Sequence, residues 1–113
     1  GSWDCYGLVR DWYMQERGIE LPDFPREDNW WTRGENLYVR HYAEAGFYSH
    51  ASELQAGDVI LMQYRADEIN HAGIYLGNGK MLHHMYGQLS GEVPYGGIWR
   101  ERTMLTLRHK NDD

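Results

Sequence analysis

One cysteine and six histidines are the residues of this chain best suited to nucleophilic chemistry. Cys5 directly follows Asp4 and opens a stretch in which Leu8, Val9, Trp12 and Tyr13 make one apolar stripe at helical spacing. Aspartate is a good N-cap because its carboxylate accepts from first-turn N–H groups that lack a partner. Cys5 is then expected as the first helical residue, where the N–H dipoles and the helix macrodipole favour negative charge. A thiol in that position ionises more readily, and the thiolate is the nucleophile. It needs a base to take its proton and later to protonate the leaving group, and histidine is the usual base near neutral pH. Among His41, His50, His71, His83, His84 and His109, His71 stands out. It starts an alternating, strand-like segment and shares its face with glycines, which leave room for another backbone or a ligand. A third polar group must hold the imidazole in one tautomer.

These residues have to be positioned by a small set of elements. The first helix is expected from Cys5 to Arg17, ended by Gly18. Glu20 to Gly34 reads as a long loop with two prolines, in which Trp30 and Trp31 either anchor the loop or face a ligand. A second helix fits Glu35 to Ala45, with Leu37, Tyr38, His41, Tyr42 and Ala45 inward and Gly46 at its end. Ser49 to Gly57 reads as a turn. Strands are expected at Asp58 to Tyr64, Asn70 to Leu76 and Lys80 to Tyr86, the last two joined by a tight hairpin at Gly77-Asn78-Gly79. Gly87 to Gly97 reads as a loop or irregular hairpin, and Ile98 to His109 as a final strand with a frayed tail. If Asn78-Gly79 are the two turn residues, Gly77 pairs with Lys80 and His71 lies opposite the Tyr86 region. That register brings His83 and His84 near His71 and leans slightly toward His84. A bulge would shift it. Helices followed by an antiparallel meander make an α+β architecture, one domain over residues 1–113.

The formal charge of -6 argues against a general binder of nucleic acid or anionic membranes. No apolar run is long enough to span a membrane, and no signal peptide opens the chain. A single cysteine excludes an internal disulfide. Aromatic residues make up 14% of the chain, with five Trp and nine Tyr, which is more than a small core needs and points to rings lining a cleft. His41 fits helix packing, and His50 and His109 are expected on the surface. Met62, Met81, Met85 and Met104 read as core filling. The candidate nucleophile stands almost at the chain's start, which points to a domain taken from a longer protein.

Asp4-Cys5-Tyr6-Gly7-Leu8-Val9, then Gly57-Asp58-Val59-Ile60, then His71-Ala72-Gly73-Ile74-Tyr75-Leu76-Gly77, then Met81-Leu82-His83 resemble the ordered signature of the NlpC family of cell-wall cysteine peptidases. The likeness covers nearly the whole chain. The Arg10-Asp11-Trp12-Tyr13 continuation and the Leu107-Arg108-His109 ending resemble most the peptidase domains of lambda-like phage tails. The resemblance implies a reduced papain-like α+β fold, with N-terminal helices on an antiparallel sheet and the cysteine at a helix N-terminus. It implies Cys5 as nucleophile, His71 as base and acid, and His83 as the residue orienting His71, a choice made by the family's spacing after Met81-Leu82. It also implies a substrate, the stem peptide of peptidoglycan, cut between D-glutamate and the diamino acid, with no cofactor. Phage tail proteins are the implied partners, and the virion tail acting on the periplasmic cell wall is the implied location. Tyr6 stands where the family often has serine, and the upstream tyrosine common in the family has no counterpart here. Tyr6, Trp30, Trp31 and Arg33 are candidates for substrate contacts, with Arg65 and Arg100 as further cations for the substrate's carboxylates.

Other functions fit the same residues. Cys5, His71, His83 and His84 could supply a zinc site, although no close ligand pair is present and adjacent His83-His84 should diverge on a strand. The same cysteine–histidine chemistry would serve an amidase cutting between sugar and peptide, or an antibacterial effector. A catalytically silent tail component is a further alternative.

Overall fold

The computed structural model describes residues 5–22, 42–63, 69, 71–83 and 91–111, except for the side chains of Cys5 and Tyr6. Helix α1 (Cys5–Arg17) forms where its stripe predicts. Val9 and Tyr13 are buried, with Leu8 and Trp12 half-buried beside them. Gly18 ends the helix at φ 67°, donating its N–H to the Met14 carbonyl at 3.2 Å. A side chain on Cβ would disfavour that left-handed cap.

Among the described residues six strands form one antiparallel sheet: β1 (Phe47–Ser49), β2 (Val59–Met62), β3 (His71–Gly77), β4 (Lys80–His83), β5 (Gly91–Pro94) and β6 (Thr103–His109). Their spatial order is β1-β6-β2-β3-β4-β5, so the last strand inserts between the first two. A short helix α2 (Gly97–Glu101) precedes β6. The α+β architecture is as expected. One face of the sheet packs with α1 through Val59, Leu61, Ala72, Ile74 and Leu107 around Val9 and Tyr13. The other carries a smaller core of Ile60, Met62, Met81 and Tyr95, with Tyr75 and Trp99 against it. The alternation of β3 sorts its residues between these two cores.

Several sequence expectations need correction. Ile98–Glu101 is helical rather than strand, because the Gly96-Gly97 bend, with Gly97 at φ 50°, turns the chain before β6 can begin. Phe47–Ser49 is a strand, and of the loop or irregular hairpin expected over Gly87 to Gly97, Gly91–Pro94 is an edge strand paired antiparallel with β4. Pro94 is tolerated there because an edge need not donate outward. His50 and His109 are not surface residues: His109 is buried against Tyr13 and Phe47, and His50 is largely buried beside Asp58. Met104 is 51% exposed, unlike the buried Met62 and Met81. Residues 42–46 form a turn ended by Gly46. The rest of the expected second helix lies outside the described residues, as do Asp4, the loop with Trp30, Trp31 and Arg33, and His41, Arg65, His84 and Met85.

Candidate active site

The β3–β4 hairpin sets the site. Asn78 and Gly79 both take positive φ, 55° and 76°, the pattern of a type I′ turn. Gly77, at φ 92°, pairs with Lys80, but the next pairs are Tyr75 with Met81, Ile74 with Leu82 and Gly73 with His83. Leu76 has no opposite number, and this bulge moves β4 by one residue relative to the simple register. The shift overturns the lean toward His84. His83 lies opposite Gly73, two residues along β3 from His71, so both histidines project from the same face.

Their rings meet there. Nε2 of His71 lies 3.0 Å from Nδ1 of His83, and both residues are only 5% exposed. The rings stand edge to face, with centroids 5.2 Å apart. A hydrogen bond between two ring nitrogens requires one protonated and one bare nitrogen, so it couples the tautomers of the pair. Trp99 closes over both rings, 4.8 Å from His83 and 6.1 Å from His71 between centroids. Nothing in the sequence singled out Trp99, which there reads as part of a strand. Gly73 carries the hairpin under the site. A Cβ on it would fall 2.7 Å from Met81 Sδ, so the room left by the glycine is filled by methionine rather than by a ligand.

Helix α1 is anchored at the far end of β3. The Tyr13 hydroxyl donates to the Gly57 carbonyl, and Arg17 reaches the Ala56 carbonyl at 3.5 Å. Gly57 in turn donates its N–H to Tyr75 at 2.8 Å. From Tyr13 back to Cys5 a helix runs about 12 Å. From Tyr75 back to His71 a strand runs about 13 Å. Cys5 and His71 therefore lie at comparable distances along their own elements from this shared anchor. The side chains of Cys5 and Tyr6 lie outside the described residues. Arg100, one of the expected substrate cations, is exposed and sits 5.0 Å over the ring of Tyr95.

A second polar cluster lies at the start of β2. Asp58, 1% exposed, receives Arg108 Nε at 2.9 Å on one oxygen and Arg108 Nη2 at 3.0 Å on the other. The Gln55 N–H also donates to it, at 3.1 Å. His50 Nδ1 accepts from the Ser52 N–H, so its Nε2 carries the proton donated to Asp58 at 3.0 Å. The hydrogen bond and charge of Asp58 raise the pKa of the Arg108 guanidinium above its ordinary value. This cluster joins β2, β6 and the segment after β1, and no local pattern in the sequence brings its members together. Among the described residues no three His, Cys, Asp or Glu side chains gather as metal ligands would.

A helix laid on an antiparallel sheet, with two histidines joined at one end of that sheet, defines a small α+β protein. The chain belongs to the NlpC/P60 family, whose sequence profile matches residues 1–108. It is 45% identical over 113 residues to the tail tip assembly protein K of Escherichia phage N15, a match covering 98% of this chain and 46% of that protein. It is 45% identical over 111 residues to the tail tip assembly protein K of Escherichia phage lambda, covering 97% of this chain and 55% of the relative. The chain thus spans about half the length of these phage relatives. It is also 29% identical over 111 residues to the bifunctional muramidase/DL-endopeptidase CwlT of Bacillus subtilis, covering 96% of this chain and 29% of that one.

Proposed function

We propose that this chain is a cysteine peptidase domain of a phage tail protein that hydrolyses the stem peptide of peptidoglycan. The reading is carried by one observation: the buried His71–His83 hydrogen bond at the start of β3. Family membership supports hydrolysis of cell-wall peptides, and the named endopeptidase relative supports an endopeptidase. The two tail tip relatives support a place in the virion tail, acting on the cell wall among other tail proteins.

In this mechanism His71 keeps its proton on Nε2 and donates it to Nδ1 of His83, leaving Nδ1 of His71 to act as the base. Cys5 gives its thiol proton to that nitrogen. The thiolate attacks the carbonyl between D-glutamate and the diamino acid. The backbone N–H of Cys5, at the helix start, donates to the oxyanion that forms. His71 then protonates the leaving amine, and water, activated by the same imidazole, hydrolyses the thioester. His83 accepts one hydrogen bond throughout and fixes which nitrogen of His71 faces the thiol. Tyr6, Trp30, Trp31 and Arg33 are assigned to substrate contacts, with the arginine for the stem peptide's free carboxylates.

The test is digestion of defined muropeptides followed by mass spectrometry. The expected product pair has a new D-glutamate carboxyl and a new amine on the diamino acid. Cys5→Ala and His71→Ala should each abolish turnover, and a strong chelator should leave the wild type unaffected. Release of intact stem peptide from the sugar would instead make the chain an amidase. Wall-solubilising activity surviving in Cys5→Ala would remove the cysteine from the mechanism. A folded wild-type protein with no turnover would favour a structural tail component.

A further inference from the structure

We propose that Trp99 is a positioning residue of this site: its indole shields the His71–His83 hydrogen bond from water and so holds His71 in one tautomer and one orientation. The proposal rests on reading His71 as the base, and it concerns a residue that acts through the histidines rather than on substrate.

Three rings meet at the start of β3. Trp99 stands at 67° to His83 and 34° to His71, so it lies edge-on to one imidazole and leans over the other. Water is the competitor of a hydrogen bond between ring nitrogens, because it can serve either the donor or the acceptor. An indole presents carbon to most of its surroundings, and excluding water strengthens the bond it covers. Freed of that cover, His71 could exchange its Nε2 proton with solvent and populate the other tautomer, in which the nitrogen facing the thiol is already protonated.

The backbone around Trp99 is built to hold that one ring. Helix α2 has five residues, no side-chain N-cap and no buried residue, so neither propensity nor a core of its own explains it. It is clamped from both flanks instead. Thr103 donates its hydroxyl to the Trp99 carbonyl at 2.9 Å. Since that proton is spent, Tyr95 must be the donor in its 2.7 Å bond to Thr103. Tyr95 is itself buried in the smaller core. On the N-terminal side, the Trp99 N–H donates to the Gly96 carbonyl at 3.1 Å, across the turn that Gly97 makes at φ 50°. The chain of bonds from Tyr95 through Thr103 to Trp99 fixes the height of the ring above the histidines.

The experiment uses the whole chain, with 15N-labelled histidine. In the wild type, NMR should show His71 as a single tautomer with a slowly exchanging Nε2–H. In Trp99→Ala that proton should exchange at least about tenfold faster, and both tautomers should be populated. Trp99→Phe, which restores a ring, should recover most of the protection. On muropeptide, kcat of Trp99→Ala should fall about tenfold or more with KM nearly unchanged, and the pH profile of kcat should shift. Unchanged exchange and tautomer in a folded Trp99→Ala protein would overturn the proposal, as would a Trp99→Phe protein as impaired as Trp99→Ala. Should Trp99→Ala fail to fold, Thr103→Val keeps the indole and removes its clamp. Faster Nε2–H exchange in that variant supports the proposal, and exchange identical to wild type refutes it. The NMR measurements need no turnover, so a protein that proves inactive would undo the peptidase reading while leaving this inference to stand or fall on proton exchange.

Discussion

At the scale of single residues, the site rests on a division of labour between two chemically identical side chains. His71 and His83 differ only in place, and the 3.0 Å bond between them makes one the donor and the other the acceptor. An acceptor is all that the mechanism asks of His83, so its replacements should be graded by that property. His83→Ala leaves the Nε2–H of His71 without its partner and is expected to lower kcat by about two orders of magnitude, with a smaller change in KM. His83→Asn can present its side-chain oxygen and should lose less. Steady-state kinetics on a muropeptide checks both, and equal damage from the two variants would mean that His83 contributes something other than an acceptor. Cys5 and His71 were legible as candidates from residue type, helix start and strand start. The pairing with His83 came only from the family's spacing, because the strand arithmetic missed a single bulged residue that leaves no local signature.

At the scale of elements, the β3–β4 hairpin illustrates how one register choice decides a site. The alternation of β3 and the Asn78-Gly79 turn were legible because each has a local cause: period two in one case, positive φ in the other. Strand β1 and helix α2 were not. Three residues of β1 are strand only because β6 offers them a partner, and five residues of α2 are helix only because Thr103 and Gly96 hold them. Gly73 provides an energetic test of the hairpin's close fit. A Cβ there meets Met81 Sδ at 2.7 Å and the Leu82 carbonyl at 3.1 Å. Gly73→Ala should therefore cost about 1–3 kcal/mol by overpacking. Met81→Ala alone should cost about 2–5 kcal/mol by leaving a cavity. The two changes are complementary in volume and in contact, so the double variant should lose less than their sum. Urea denaturation of the three variants measures this, and simple additivity would show that the Met81 side chain does not pack over Gly73 as described.

At the scale of the whole molecule, two cores sit on opposite faces of one sheet, and the chain closes by threading β6 between β1 and β2. That insertion was hidden in the sequence because its partners are far apart: Arg108 meets Asp58 across 50 residues. The closure is fixed by the cluster on Asp58, whose carboxylate serves Arg108, His50 and the Gln55 N–H at once. The raised pKa of Arg108 gives the sign of its linkage. A cation held above its ordinary pKa contributes fully at every pH below that value, so this part of the clamp does not weaken across the neutral and acidic range while Asp58 stays ionised. Removing the charge of Asp58 is a different matter. Asp58→Asn keeps the shape but leaves Arg108, whose side chain is 14% exposed, facing a neutral amide that must also turn an NH2 toward one of its donors. Breaking a buried pair from one side costs about 3–5 kcal/mol. For a domain of this size, that is a fall in Tm on the order of 10 °C or more. Arg108→Met should be destabilising by a similar mechanism, since it strands the carboxylate, whereas His50→Ala removes one neutral donor and should cost only about 1–2 kcal/mol. Calorimetry on the three variants tests this ordering. If Asp58→Asn melts within a degree or two of wild type, the cluster is not what holds β6 in the middle of the sheet, and the closure must rest on the Leu107 side of the core alone.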